Sequence, residues 1–166
     1  MFDKLTIFID DKPLEVINES FYLDNNISII AKSGDGKNVL LGKIINGILR
    51  VKKEREIYLL TDNKGELNFI NERVKVNTQD VNEALNILKV ISNESKKPTT
   101  IVINNLEKFI NKNKELENEI IKLFAIGRAK NINIIAVMQE EHKIIDANAE
   151  FKLMSVGKGR FSCVYE

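Results

Sequence analysis

Apolar residues along this chain fall into short continuous runs, and stretches with a helical repeat separate them. ISIIA (27–31), EIYLLTD (56–62), TTIVI (99–103) and INIIAVM (132–138) are such runs, rich in β-branched side chains. They read as strands buried on both faces. Between the first two, Val39, Leu40, Ile44 and Ile48 recur at helical spacing with apolar neighbours on more than one side, which predicts a largely buried helix over about Lys37–Leu49. A second helix runs through Val81, Ala84, Leu85, Leu88 and Ile91, capped by Asp80 with Glu83 three residues on, and stopped by Lys96-Lys97-Pro98. Residues 104–131 are helical in pattern, most strongly from Glu115 to Ala129 through Leu116, Ile120, Leu123, Phe124 and Gly127. At the N-terminus LTIFIDDKPLEV predicts two short strands around a turn at Asp10-Asp11-Lys12-Pro13, and a further turn falls at Asn63-Lys64-Gly65. The tail FKLMSVGKGRFSCVY predicts two strands around Gly157-Lys158-Gly159. Strands alternating with helices imply an α/β fold with a parallel sheet covered on both faces. No repeat, linker or low-complexity tract interrupts the pattern.

Composition narrows the function classes. The 166 residues are one domain's worth of chain, with 43% hydrophobic and 30% charged residues, ordinary for a globular domain. A formal charge of +1 gives no bulk attraction to nucleic acid or to an anionic membrane. The single cysteine, Cys163, excludes an internal disulfide, and with one histidine, His142, it excludes a Cys/His zinc cluster. No apolar run approaches the roughly 18 residues of a membrane span, and MFDKLTIFIDD is no signal peptide. The chain reads as cytosolic, whether free or cut from a larger membrane protein.

Candidate chemistry begins at residues 27–38, ISIIAKSGDGKN, where a buried strand breaks into a glycine-containing loop that ends in Gly-Lys. This is nearly the phosphate-binding pattern G-x-x-x-x-G-K-[ST]. Ala31 stands at the first glycine and Asn38 at the closing hydroxyl residue. Ser33, Gly34, Asp35, Gly36, Lys37 and Asn38 are the candidate nucleotide-binding positions. Gly34, Gly36 and Lys37 keep the capacity to cradle an anion at a helix start. Asn38 lacks the hydroxyl that would ligate Mg²⁺. Asp35 adds a negative charge whose repulsion of one phosphate charge is on the order of 3 kcal/mol at about 5 Å and an effective dielectric of about 20. A glycine turn between strand and helix can also be conformational alone.

The strand TTIVI ends in Asn104-Asn105, where P-loop enzymes place an Asp-Glu pair for the Mg²⁺ shell and for activating water. An amide cannot accept that proton, and loss of a general base costs about 10²–10⁴-fold. Glu107 is offset by too much of a turn to replace it. No residue here stands as a confident catalytic group, and no metal site is expected.

The stretch LFAIGRAKNINIIAVMQ (123–139) resembles the segment of FtsK/SpoIIIE-type motor ATPases in which a helix ends in Gly-Arg-Ala and an apolar strand then delivers a glutamine beside the γ-phosphate. The order agrees over most of the chain: degenerate loop at 31–38, strand ending in Asn104-Asn105, Gly127-Arg128-Ala129, sensor-like Gln139, and a late glycine hairpin. The resemblance implies a three-layer P-loop NTPase fold of the RecA/FtsK type. The tail after Gln139 is shorter than in the DNA translocases, so abbreviated or missing strands are expected there, with no DNA-reading winged-helix module.

Degeneracy in both motifs is similar to the last ATPase module of the type VII secretion coupling ATPases of Gram-positive bacteria. That likeness implies a single domain, 1–166, as the C-terminal module of a larger membrane-anchored protein, soluble as this fragment and on the cytoplasmic side of the membrane. It implies a secreted protein substrate and neighbouring ATPase modules as partners, with a hexamer in the full protein and no nucleic acid. The function expected is substrate docking and regulation with little or no ATP hydrolysis, with no cofactor or with weakly bound ATP and Mg²⁺. The alternative is a weak ATP-binding motor module of an FtsK-like translocase of protein or DNA. The other conspicuous residues read blandly: His142 as a solvated loop residue, Lys112–Glu119 as a solvated helix face, and Met138 and Met154 as core.

Overall fold

The computed structural model describes residues 5–18, 20–32, 34–51, 54–61, 74–78, 81–94 and 97–164. Ser33, the turn at 63–65 and the cap at Asp80 lie outside the described residues.

The continuous apolar runs become the centre of one sheet. Its strands are β1 (Phe8–Ile9), β2 (Lys12–Pro13), β3 (Ile27–Ile30), β4 (Glu56–Thr61), β5 (Val74–Thr78), β6 (Thr99–Ile103), β7 (Ile132–Met138), β8 (Phe151–Gly157) and β9 (Arg160–Val164). They lie in the order β2-β1-β9-β8-β3-β7-β6-β4-β5. The stretch from β8 to β5 is parallel throughout. The antiparallel β8–β9 pair and the β1–β2 hairpin extend the other end. The tail strands expected to be abbreviated are therefore present, one beside β3 and the other beside β1.

Alternation along each strand divides the core in two. Ile27 and Ile29 of β3, Ile57 and Leu59 of β4, and Ile135 and Val137 of β7 face one side, against Leu40, Leu41, Ile44, Ile45 and Ile48 of α2 (Lys37–Val51). Ile101 and Ile103 of β6, with Ile132, Ile134, Ala136 and Met138 of β7, face the other. That side is covered by α3 (Val81–Glu94), α4 (Leu106–Ile110) and α5 (Lys114–Ile126). Two four- and five-residue helices, α1 (Ser20–Leu23) and α6 (Lys143–Ala147), complete the set. All seven residues of β7 are buried, as two-sided burial requires. Each buried Ile or Leu contributes about 1.5–3 kcal/mol of transfer free energy. This is the three-layer P-loop fold with a mostly parallel sheet.

Two local departures have clear physical causes. The first turn is two residues, not four: Asp10 and Asp11 take φ 50° and 66°, and Ile9 pairs with Lys12. Positive φ at both central positions is the type I′ hairpin, which Asp tolerates, and Pro13 sits harmlessly on the edge strand. The helical stretch 104–131 is broken between α4 and α5, because the Asn113 side chain accepts the Leu116 N–H at 3.1 Å and caps a new helix. It ends in a 3₁₀ turn, Gly127–Lys130, and β5 was not expected at all.

Candidate functional site

The C-terminal ends of β3, β6 and β7 and the start of α2 meet at one edge of the sheet, where ligand sites gather in such folds. The loop after β3 is built around two left-handed glycines, Gly34 at φ 91° and Gly36 at φ 90°. A Cβ on Gly36 would lie 3.1 Å from a Leu5 methyl and 3.3 Å from the backbone nitrogen of Gly159. The tail hairpin therefore packs directly on the loop, and the Gly159 N–H donates to the Asp35 carbonyl at 2.9 Å.

Asp35 does not point idly into water. Its Oδ2 accepts the Lys32 N–H at 2.9 Å, and its own N–H donates to the Lys32 carbonyl at 3.1 Å. The loop thus holds a carboxylate of its own on a backbone amide.

Lys37, the first residue of α2, is 7% exposed and its Nζ donates to Asn105 Oδ1 at 2.6 Å. Asn104, fully buried at the end of β6, donates from Nδ2 to Asn38 Oδ1 at 3.5 Å. Asn105 sits in the left-handed region at φ 59°, ψ 61°, a conformation that Asn bears better than most residues. The structure therefore brings Lys37, Asn38, Asn104 and Asn105 into one contact network. Among the described residues, the Lys37 ammonium meets a neutral amide and no carboxylate. A buried cation with only a neutral acceptor is costly, and it favours an anion when one is offered.

Gln139 leaves the end of β7 exposed, sharing a cavity of about 280 Å³ with Asn105, Glu107 and Lys108. Glu107 is occupied elsewhere, since its Oε2 accepts the N–H groups of Gln139 at 2.7 Å and Glu140 at 3.1 Å. It clamps the end of β7 to α4. Nothing in the sequence signals this clamp, which depends on where two chain ends land.

His142 is part of the structure and not a solvated loop residue. Its Nδ1 accepts the Ile145 N–H at 3.3 Å to cap α6, and Nε2 lies 3.0 Å from Glu117 Oε2. With Nδ1 accepting from the Ile145 N–H, Nε2 is the ring nitrogen that faces Glu117 as donor. The Glu117 carboxyl is held below its ordinary pKa by its hydrogen bond from Lys114 and then by that from His142. The neighbouring Asp146 is pushed up, chiefly by desolvation. Among the described residues no group of three or more His, Cys, Asp or Glu could hold a metal ion.

Arg128 of the Gly-Arg-Ala triplet stands apart from this edge. The triplet's glycine is a packing requirement, because a Cβ on Gly127 would lie 2.9 Å from the Ile132 carbonyl oxygen.

No protein-family model and no curated protein matches the chain. Solved structures do match. The cytoplasmic domain of the type VII secretion ATPase EccC of Thermomonospora curvata superposes with a TM-score of 0.61 at 11% identity, over 90% of this chain and 23% of that one. ATPases 2 and 3 of the same EccC, in complex with a signal sequence peptide, give 0.60 at 16% identity, over 78% and 30%. ATPases 2 and 3 of EssC from Geobacillus thermodenitrificans give 0.57 at 12% identity, over 84% and 32%. The fold is that of an FtsK/SpoIIIE-type P-loop ATPase domain. The pCW3 conjugation coupling protein TcpA shares this fold with a TM-score of 0.55 at 16% identity, over 78% of this chain and 48% of its own. The chain thus spans less than half the length of each of these four structures, and the FtsK/SpoIIIE-type fold is what the likeness establishes. Among the described residues no helix is long and apolar enough to cross a membrane.

Proposed function

We propose that this domain is a degenerate P-loop module of a type VII protein secretion motor, acting in substrate docking and regulation with little or no ATP hydrolysis. The observation that carries this reading is the amide network at the sheet edge, where Lys37 Nζ meets Asn105 Oδ1 at 2.6 Å and Asn104 meets Asn38 at 3.5 Å. The buried Lys37 and the left-handed Gly34 and Gly36 fit a phosphate group. In P-loop enzymes the catalytic Mg²⁺ is held by a hydroxyl, an acidic-strand carboxylate and phosphate oxygens, and Asn38, Asn104 and Asn105 supply neither the hydroxyl nor the carboxylate. No hydrolytic step follows from this donor set.

Two findings support the secretion context: the fold shared with EccC and EssC, and the signal sequence peptide bound in the EccC complex. The partners on this reading are a secreted protein and neighbouring ATPase modules of a longer, membrane-anchored chain that works on its cytoplasmic side. A second reading, a weak ATP-binding module of an FtsK-like translocase, rests on the same retained Lys37 and glycines. Calorimetric titration of ATP with and without Mg²⁺ separates them. Docking without catalysis predicts that binding is absent or weak and indifferent to Mg²⁺. An affinity that rises tenfold or more with Mg²⁺, about 1.4 kcal/mol, would favour the nucleotide-using module.

A further inference from the structure

At the opposite end of the parallel strands a second polar site is built by residues that the nucleotide edge does not use. A cavity of about 210 Å³ is lined by Leu23, Asp24, Arg55, Arg128 and Asn133 among others. Asn133 and Gln139 are six residues apart on and just past β7, so the two sites lie about 20 Å apart at 3.3 Å per residue.

Arg55, just before β4, is anchored on one side only. Its Nη1 donates to Thr100 Oγ1 and to Asn133 Oδ1, both at 3.2 Å. Asn133 is itself fixed, donating from Nδ2 to the Tyr22 carbonyl at 2.9 Å and to the Asn25 carbonyl at 3.1 Å. The buried Arg55 Nε has no acceptor, and Nη2 has none among the described residues. A guanidinium held by one nitrogen, with Nε unpaired and Nη2 free of a protein acceptor among the described residues, is a preorganised donor to a planar anion. Arg128 enters the same cavity with its side chain 55% exposed, its Nε 3.7 Å from Glu150 Oε1. Burial pushes the Arg55 pKa below its ordinary value, and the Asp24 charge offsets part of that. Arginine nevertheless stays charged.

We propose that this cavity binds a single carboxylate, from an acidic side chain or a small free acid, gripped between Arg55 and Arg128. Asp24 on the cavity wall and Glu150 beside Arg128 set a limit on charge, so a monoanion fits where a dianion is repelled.

The test follows the arginine Nε–H resonances of the intact protein by NMR at constant ionic strength. The probes are acetate, N-acetyl-aspartate N-methylamide and inorganic phosphate. The expected result is a saturable shift of the Arg55 resonance with a carboxylate, with a Kd on the order of 10 mM. Saturation by both carboxylates identifies a site for any small acid, and saturation by the blocked aspartate alone identifies one for an acidic side chain. Arg128→Gln, at an exposed position, should weaken binding about tenfold. Asp24→Asn, which removes a competing charge, should tighten it a few-fold. Absence of a saturable shift with either carboxylate in the folded protein, or tighter binding of phosphate than of both, overturns the proposal.

Discussion

Replacing Asn105 by Asp puts a carboxylate where Lys37 now meets an amide. The substitution changes almost no volume, and Asp tolerates the left-handed backbone of position 105 much as Asn does. At the 2.6 Å separation of the present contact, Coulomb attraction at an effective dielectric of about 20 has a ceiling on the order of 6 kcal/mol. The realised gain is far smaller. A hydrogen bond to a charged partner contributes about 1.5–3 kcal/mol and a neutral one about 0.5–1.5 kcal/mol, and desolvation of a half-buried carboxylate takes back part of the difference. Asn105→Asp should therefore stabilise the domain by about 1 kcal/mol at pH 7, a rise in Tm of about 2–4 °C for a chain of this size. Lys37 depresses the folded-state pKa of the new carboxylate. The gain is thus complete above the unfolded-state value of about 3.9 and is lost as pH falls through the folded value. Thermal melts of both proteins between about pH 3 and pH 7, repeated in a Lys37→Met background, measure it. No gain at pH 7, or the same gain without Lys37, would refute the placement of Lys37 against Asn105.

Three further outcomes are expected. Gly34→Ala should cost about 1–2 kcal/mol for its positive φ alone, since a Cβ there meets nothing within 4 Å, whereas Gly36→Ala should cost about 1–3 kcal/mol more because of Leu5 and Gly159; urea denaturation compares the two. Asp146→Asn should raise the melting temperature at pH 7 and change it little near pH 3, because desolvation raises the folded-state pKa of Asp146, so its ionisation weakens the fold as pH rises through that value. Lys114→Gln should move the Glu117 titration, followed by carboxyl-carbon NMR, up towards the ordinary carboxylate value, and added salt should do the same in part because the Lys114 side chain is 79% exposed.

The strands β6 and β7 were legible to the residue because burial on both faces gives each a nearly continuous run of apolar and β-branched side chains, bounded by polar neighbours. β5 was not, because VKVNT has no continuous apolar run, and among the described residues it pairs with β4 alone. The stretch around α4 and α5 read as one helical region because Leu106, Phe109 and Ile110 keep the helical spacing; the Asn113 cap that divides it is a single side-chain hydrogen bond. At the candidate site, motif order sufficed to bring together Lys37, Asn38, Asn104 and Asn105. The Asp35–Lys32 turn, the Glu107 clamp and the seat of Gly159 on the loop depend on backbone groups whose partners only the folded chain defines. Arg128 shows the converse: a motif residue easily found in sequence, yet placed far from Lys37 at the other end of β7.

Steady-state phosphate release by the purified domain, with ATP and Mg²⁺ in excess, tests most directly whether the amides at positions 38, 104 and 105 have ended catalysis. The account predicts no turnover above background, and no difference between the wild-type domain and Lys37→Ala. Turnover near the ordinary enzymatic floor of about 1 s⁻¹, abolished by Lys37→Ala in a folded domain, would contradict it.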